Sequence, residues 1–181
     1  KIFFTVHNYS KANELLAEAR RYLSKIEDLE KRRKAKIHID IYRWAIFQES
    51  KLPIGSYKDS LISLSKGIYH EALLLKDPNL RSKRILISAN STASVLIQER
   101  RGEEALKYLE IAGKQIESSE FFDFFTADFF EAKGDYEYQN FEGKVDYLDS
   151  ALAHYKTALK IAEKIHYGGI ERKLYPNRAQ V

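Results

Sequence analysis

The chain has 181 residues, 44% of them hydrophobic, so it is long enough to bury one sizeable core or a row of smaller ones. Thirty basic and 26 acidic side chains leave a formal charge of +4, which is mild and interspersed and therefore does not demand a polyanionic partner. The chain lacks cysteine, which excludes disulfides and thiolate chemistry and favours a reducing compartment. We expect a cytoplasmic protein, with the periplasm as the alternative.

Helix is the predicted secondary structure, because the chain has only three prolines and eight glycines among many strong helix formers. Helices are predicted in pairs, each pair separated by a turn. The first helices are placed near 36–50, 84–100 and 121–139, and the second helices near 8–26, 55–75, 102–118 and 147–166. No apolar run is long enough to span a bilayer. The chain starts without methionine and ends in Asn177–Val181, which reads like a helix start, so we expect a piece of a larger protein.

A pattern of small, large and small residues marks the four second helices. Its members are spaced at i, i+4 and i+7, which places them on one helix face, where the small residues let a neighbouring helix approach. The pattern returns after roughly 46 residues, long enough for two helices and their turns. The four copies are Ala12/Leu16/Ala19, Ser60/Leu64/Gly67, Ala105/Leu109/Ala112 and Ala151/Tyr155/Ala158.

These repeats resemble the tetratricopeptide repeat family, whose unit has an early aromatic residue, a Gly-x-Tyr turn and a small-large-small second helix. The second repeat matches best, with Trp44 as the aromatic residue and Gly55 and Tyr57 at the turn. The sequence departs from the family pattern in two ways. Its unit of roughly 46 residues is longer than the common family unit of 34 residues. The proline that closes each family repeat is missing or displaced to Pro78. The resemblance implies an all-α, right-handed solenoid of stacked antiparallel helix hairpins, forming one domain over residues 1–181.

Signatures of catalysis are missing from the sequence. It contains no His-Glu-x-x-His, no glycine-rich phosphate loop and no Gly-x-Ser-x-Gly, and its five histidines are scattered. We therefore expect no enzymatic activity, no metal and no cofactor. The basic run Lys31–Lys36 directly follows the acidic stretch Glu27–Glu30, which favours a solvated segment with local ion pairs over a nucleic-acid site.

The resemblance also implies where a partner would bind. In the family the first helices line a concave face, and a bound peptide lies against them. An asparagine on that face can both donate to and accept from a peptide backbone, and an acidic carboxyl-terminal part would prefer a basic or neutral segment. The residues carried over are Tyr42, Glu49, Asn90, Ser94, Gln98, Asp128, Glu131, Asp135 and Tyr138.

The segment Phe121–Phe130 contains six phenylalanines, which point in nearly every direction around a helix. A helix that is apolar all round must be covered on several sides. One interpretation is burial between the third and fourth repeats. The other is an association surface, in which Phe121 and Phe125 would be aromatic anchors of a homodimer.

The expected function is non-catalytic binding of a protein or peptide, by the regulatory part of a bacterial signalling or transcription-control protein. The second part of this expectation is implied only by resemblance, since the tyrosine-rich fourth repeat is similar to arrays attached to DNA-binding regulators. The alternatives are a self-associating structural scaffold and, less favoured, a helical solenoid that binds nucleic acid or acts as an enzyme.

Overall fold

The computed structural model describes residues 9–49, 57–117, 124–140 and 143–165. Every regular element in these ranges is a helix, which confirms the predicted all-α class. A 3-10 turn, Leu23–Lys25, follows the first helix. The α-helices are α1 (Tyr9–Tyr22), α2 (Leu29–Glu49), α3 (Tyr57–Leu73), α4 (Pro78–Gln98), α5 (Gly102–Glu117), α6 (Phe124–Gln139) and α7 (Val145–Lys164).

Helix α2 begins at Leu29, about two turns before the predicted start at Lys36. The residue before it, Asp28, acts as its cap, because Asp28 Oδ1 accepts a hydrogen bond of 2.9 Å from the backbone N–H of Lys31. That bond lowers the pKa of the Asp28 carboxyl below its ordinary value. The acidic stretch therefore starts the helix instead of preceding it.

Helix α4 also begins earlier than predicted, at Pro78 rather than near Arg84. Asp77 Oδ1 accepts hydrogen bonds from the backbone N–H groups of Asn79 at 3.0 Å and Leu80 at 3.1 Å. Pro78 occupies the first helical position, where its fixed φ suits the helix and its missing N–H costs nothing. The proline that the sequence analysis assigned to the end of a repeat thus starts a helix.

The turn between α4 and α5 is short and tightly bonded. Arg100 takes a left-handed conformation with φ of +58°. Its N–H donates to Ile97 O and that of Arg101 to Leu96 O, both at 2.9 Å, which satisfies the last carbonyls of α4. The Arg101 guanidinium then binds the carboxylate of Glu104 through two contacts of 2.7 and 3.0 Å. This turn lies where Arg101-Gly102 predicted one.

The chain divides into two compact units, Lys1–Ser88 and Ala89–Val181. In the first unit α2 packs against α1 and α3, and in the second unit α6 packs against α5 and α7. Helix α4 starts in the first unit and continues into the second. Helices that are adjacent in sequence therefore pack in pairs, while the right-handed solenoid and the single repeat domain stay predictions.

The core of the second unit follows the predicted pattern. Residues of both of its small-large-small triplets are almost fully buried, and the cluster around α7 also takes in Ala127, Leu159 and Phe130. The buried triplet members are Ala105, Leu109 and Ala112 on α5, and Ala151, Tyr155 and Ala158 on α7.

In the first unit the predicted register of α3 is wrong by one residue. The predicted triplet runs from Ser60, which is exposed, to Gly67, where an added Cβ would have no described atom within 4 Å. The buried stripe is instead Leu61, Ser65 and Ile68. Ser65 is tolerated there because its hydroxyl donates to Leu61 O at 2.9 Å.

Candidate binding surfaces of helices α4 and α6

Helices α6 and α7 approach closely at Gly134, which lies directly under the ring of Tyr155. A Cβ added to Gly134 would be 2.5 Å from Tyr155 Cε1 and 2.7 Å from Cδ1, so only glycine fits this contact. The Tyr155 hydroxyl donates to Asp135 Oδ1 at 2.8 Å. Burial, together with the Asp135 charge, raises the pKa of the phenol. The large residue of the fourth triplet thus fills the gap left by a small residue, as predicted.

Four of the predicted partner-binding residues lie on one face of α6, as helical spacing requires. Asp128 and Glu131 are half-buried, and Tyr138 is exposed. Asp135 has another role, because it accepts the hydrogen bond from Tyr155 and holds α7 against α6. The side chain of Asp135 is therefore part of the helix-to-helix contact.

Three further predicted residues share a face of α4 at i, i+4 and i+8. Gln98 is exposed and Ser94 is half-buried. Asn90 is only 7% exposed, and its side-chain oxygen is buried with no hydrogen-bond partner in the described part of the chain. Buried amide oxygens normally have a donor, so Asn90 Oδ1 is an acceptor that no described donor uses.

The remaining two predicted residues lie on α2, in the first unit. Tyr42 is exposed, in keeping with a surface position. Glu49 is the last residue of α2, and its side chain lies outside the described part of the structure. The nine predicted residues thus fall into three groups, one each on α2, α4 and α6.

The phenylalanine-rich segment is divided between surface and core. Phe121 lies outside the described residues. Phe125 is half-buried, and its ring centroid is 3.7 Å from that of Phe124, which is exposed. Phe129 is buried, with its ring edge 3.5 Å from where a Cβ on Gly113 of α5 would be. Burial therefore holds for Phe129, and the start of α6 keeps an exposed aromatic surface.

A groove of about 470 Å³ runs between α5 and α6. Its volume is within the usual range for ligand sites. The lining combines apolar and aromatic side chains with three carboxylates and two ammonium groups. It consists of Leu106, Leu109, Glu110, Gly113, Lys114, Ile116 and Glu117 from α5, and of Phe129, Phe130, Lys133, Tyr136 and Glu137 from α6.

Glu137 connects this groove to α7. Its Oε1 lies 3.2 Å from His154 Nε2, and the imidazole stacks on Phe130 with ring centroids 5.9 Å apart. Burial and the positive charge of Lys133 lower the pKa of His154 to about 4, so at neutral pH the imidazole is uncharged and the contact is not an ion pair. Burial raises the pKa of Glu137, against the opposing effect of Lys133.

Sequence reasoning missed the contact between Glu137 and His154, because the two residues lie on different helices and the histidines look scattered along the chain. A search across the hairpin would have found it. Once Tyr155 is placed over Gly134, the preceding residue of α7 and the residue one turn further along α6 become neighbours. His154 is thus a hairpin-packing residue, which was the simplest reading of it.

The basic run in the first unit is partnered locally. Lys36 Nζ lies 3.2 Å from Asp40 Oδ2 and 3.3 Å from Glu71 Oε1, and Lys34 Nζ lies 3.6 Å from Glu30 Oε1.

Within the described ranges, no three histidine, aspartate or glutamate side chains converge as metal ligands. Of the helices that the structure describes, none is long and apolar enough to cross a bilayer.

Comparison of the chain with protein-family models, with curated proteins and with solved structures finds no significant match.

Proposed function

We propose that the chain is a non-catalytic module that binds a protein or peptide, built as a right-handed solenoid of helix hairpins similar to tetratricopeptide repeats. The close contact of Gly134 with Tyr155 supports this architecture, because it is the small-to-large packing that the repeat pattern requires. By the resemblance of its fourth repeat, the module is the regulatory part of a bacterial signalling or transcription-control protein.

Asn90 is the observation that carries the binding proposal. A buried acceptor without a donor lowers stability by roughly 1–3 kcal/mol, so it is seldom kept without a reason. The backbone N–H of an extended peptide would supply the donor, and the amide of Asn90 could in turn donate to a peptide carbonyl. Ser94 and Gln98, on the same face of α4, extend this polar surface towards the end of the helix.

The test begins with a library of random peptides displayed on phage, from which peptides that bind the immobilised chain are selected. The affinity of a selected peptide is measured by fluorescence anisotropy for the wild type, Asn90→Ala and Ser88→Ala. We expect Asn90→Ala to weaken binding about tenfold, which corresponds to one hydrogen bond. The Asn90→Ala substitution removes no hydrogen bond that the structure describes, so the variant should stay as stably folded as the wild type.

Ser88→Ala is the matched control on the same helix, because the Ser88 hydroxyl already donates to Arg84 O at 2.9 Å. It should leave the affinity unchanged. Failure to select any peptide, or selected peptides that bind Asn90→Ala as tightly as the wild type, would contradict the proposal.

A second candidate function is self-association through the start of α6, favoured by the exposed ring of Phe124. The test compares wild type and Phe125→Glu by light scattering, with circular dichroism to monitor helix content. A wild-type dimer that becomes a folded monomer supports an association surface. Two folded monomers refute it, and an unfolded variant places Phe125 in the core.

A further inference from the structure

The groove between α5 and α6 lies on a different side of α6 from the predicted partner-binding face. With 3.6 residues per turn, the mean direction of Phe129, Lys133 and Tyr136 lies about 140° around α6 from that of Asp128 and Glu131. A partner in this groove would not compete for the predicted face. The two surfaces can therefore be tested separately.

Apolar surface remains accessible along the groove. Leu106 on α5 is 39% exposed although it is a large hydrophobic residue. Ile116 and Phe130 are each half-buried, which leaves part of their surface uncovered. Each apolar side chain of a partner that covers such surface gains about 25 cal/mol per Å² of buried area. The groove is thus suited to apolar side chains at its rim.

Glu137 brings a mostly buried carboxylate to the wall of the groove. Its side chain is only 15% exposed, and its Oε2 is buried with no hydrogen-bond partner among the described residues. The other oxygen lies 3.2 Å from Nε2 of His154, which is uncharged at neutral pH, so among the described residues the positive charge that acts on this carboxylate is that of Lys133. A buried carboxylate whose charge is only partly offset is costly, and a second cation brought beside it would reduce that cost.

The aromatic walls suit the same cation. The rings of Phe130 and Tyr136 border the groove beside Glu137. Lysine and arginine bury their aliphatic stems along apolar surface, and their charged ends are attracted to aromatic faces. However, Lys114 and Lys133 also border the groove and would repel a densely basic segment. The charges therefore favour a single cationic side chain.

We propose that this groove is a docking site for a segment of a partner protein that carries one lysine or arginine among apolar side chains, with Glu137 binding the cation. The inference goes beyond the proposed function by adding a second surface and the chemistry of its partner. It does not depend on Asn90.

The test uses the whole chain and two synthetic tripeptides with acetylated and amidated ends. One contains leucine, arginine and leucine, and the other has citrulline, an uncharged near-isostere, in place of arginine. Binding is followed through the backbone amide resonances of the labelled protein. We expect saturable shifts at Leu106, Gly113 and Phe130, and about tenfold tighter binding of the arginine peptide.

Glu137→Gln should reduce binding of the arginine peptide to the level of the citrulline peptide. Glu110→Gln, which removes a carboxylate from the α5 side of the same groove, is the matched control and should keep most of the preference. Lys133→Gln should keep or increase it, because it removes a competing positive charge.

Equal affinity for the two peptides would overturn the inference, as would shifts confined to other parts of the protein. A Glu137→Gln variant that still prefers the arginine peptide over the citrulline peptide as strongly as the wild type would also overturn it. If that variant does not fold, the comparison of the two peptides on the wild type still decides. Asn90→Ala should keep the preference, so a failure at this groove can be told apart from a failure of the proposed function.

Discussion

Replacing Gly134 by alanine tests the packing on which the second unit depends. The new Cβ would lie 2.5, 2.7 and 3.0 Å from three ring atoms of Tyr155. The ring cannot move aside easily, because Tyr155 is 1% exposed and its hydroxyl is bonded to Asp135. Either the ring leaves its hydrogen bond or α6 and α7 move apart.

The size of the effect follows from three contributions. Overpacking a close contact costs about 1–3 kcal/mol, and loss of a hydrogen bond to a charged group costs about 1.5–3 kcal/mol more if Tyr155 shifts. Alanine gains up to about 1 kcal/mol over glycine inside a helix. If Tyr155 shifts, we expect Gly134→Ala to be less stable by about 1.5–5 kcal/mol, which lowers the melting temperature by roughly 3–20 °C for a chain of this size.

Gly67→Ala is the matched control, because it makes the same chemical change inside α3 where no described atom is near the new Cβ. It should raise stability by about 0.5–1 kcal/mol, since only the helix preference changes. Thermal and urea unfolding, followed by far-ultraviolet circular dichroism, measure both variants. A Gly134→Ala protein as stable as the wild type would refute the close contact, and a destabilised Gly67→Ala would refute the open one.

Four further changes test individual contacts, each by the midpoint of urea unfolding. Tyr155→Phe removes the hydrogen bond to Asp135 and should cost about 1.5–3 kcal/mol, while Asp77→Ala removes the cap of α4 and should cost about 1 kcal/mol. Arg100→Gly should gain about 1 kcal/mol, because glycine adopts positive φ without strain. The pKa of His154 is about 4 in the folded chain, below its ordinary value of 6.5, so the unfolded chain binds more protons between these values. The free energy of unfolding should therefore fall as the pH drops from 6.5 to about 4, and it should fall less in His154→Gln. For each of the four changes, a urea midpoint equal to that of the wild type would contradict the contact concerned.

Part of the fold could be predicted because helical periodicity alone determines it. On α5 and α7 alanines flank one large residue, and only one face has that composition, so the buried stripe was identified. On α3 two adjacent stripes compete. One starts at Ser60 and the other at Leu61, and the search for an internal small-large-small repeat selected the more polar one. Burial of Leu61 and Ile68 contributes more than a match to the motif, so the true stripe is one residue later.

The binding surfaces were harder to predict, because they depend on how far one helix is displaced along another. Tyr155 and Asp135 are 20 residues apart, and their hydrogen bond exists only at one displacement of α7 along α6. The same displacement brings His154 to Glu137. Periodicity places a residue on a face but does not give this displacement. The resemblance to a known repeat assigned Asn90 to a partner-binding face without showing that its amide is buried.

The contact between Gly134 and Tyr155 also limits how this hairpin can move. A shift of α7 by one helical turn, about 5.4 Å, would bring the ring of Tyr155 against Phe130 or Tyr138, neither of which leaves room for it. Sliding of one helix past the other, a common means of passing conformational change through helical proteins, is therefore blocked here. We therefore expect helices α6 and α7 to move together, by tilting or displacement of the pair.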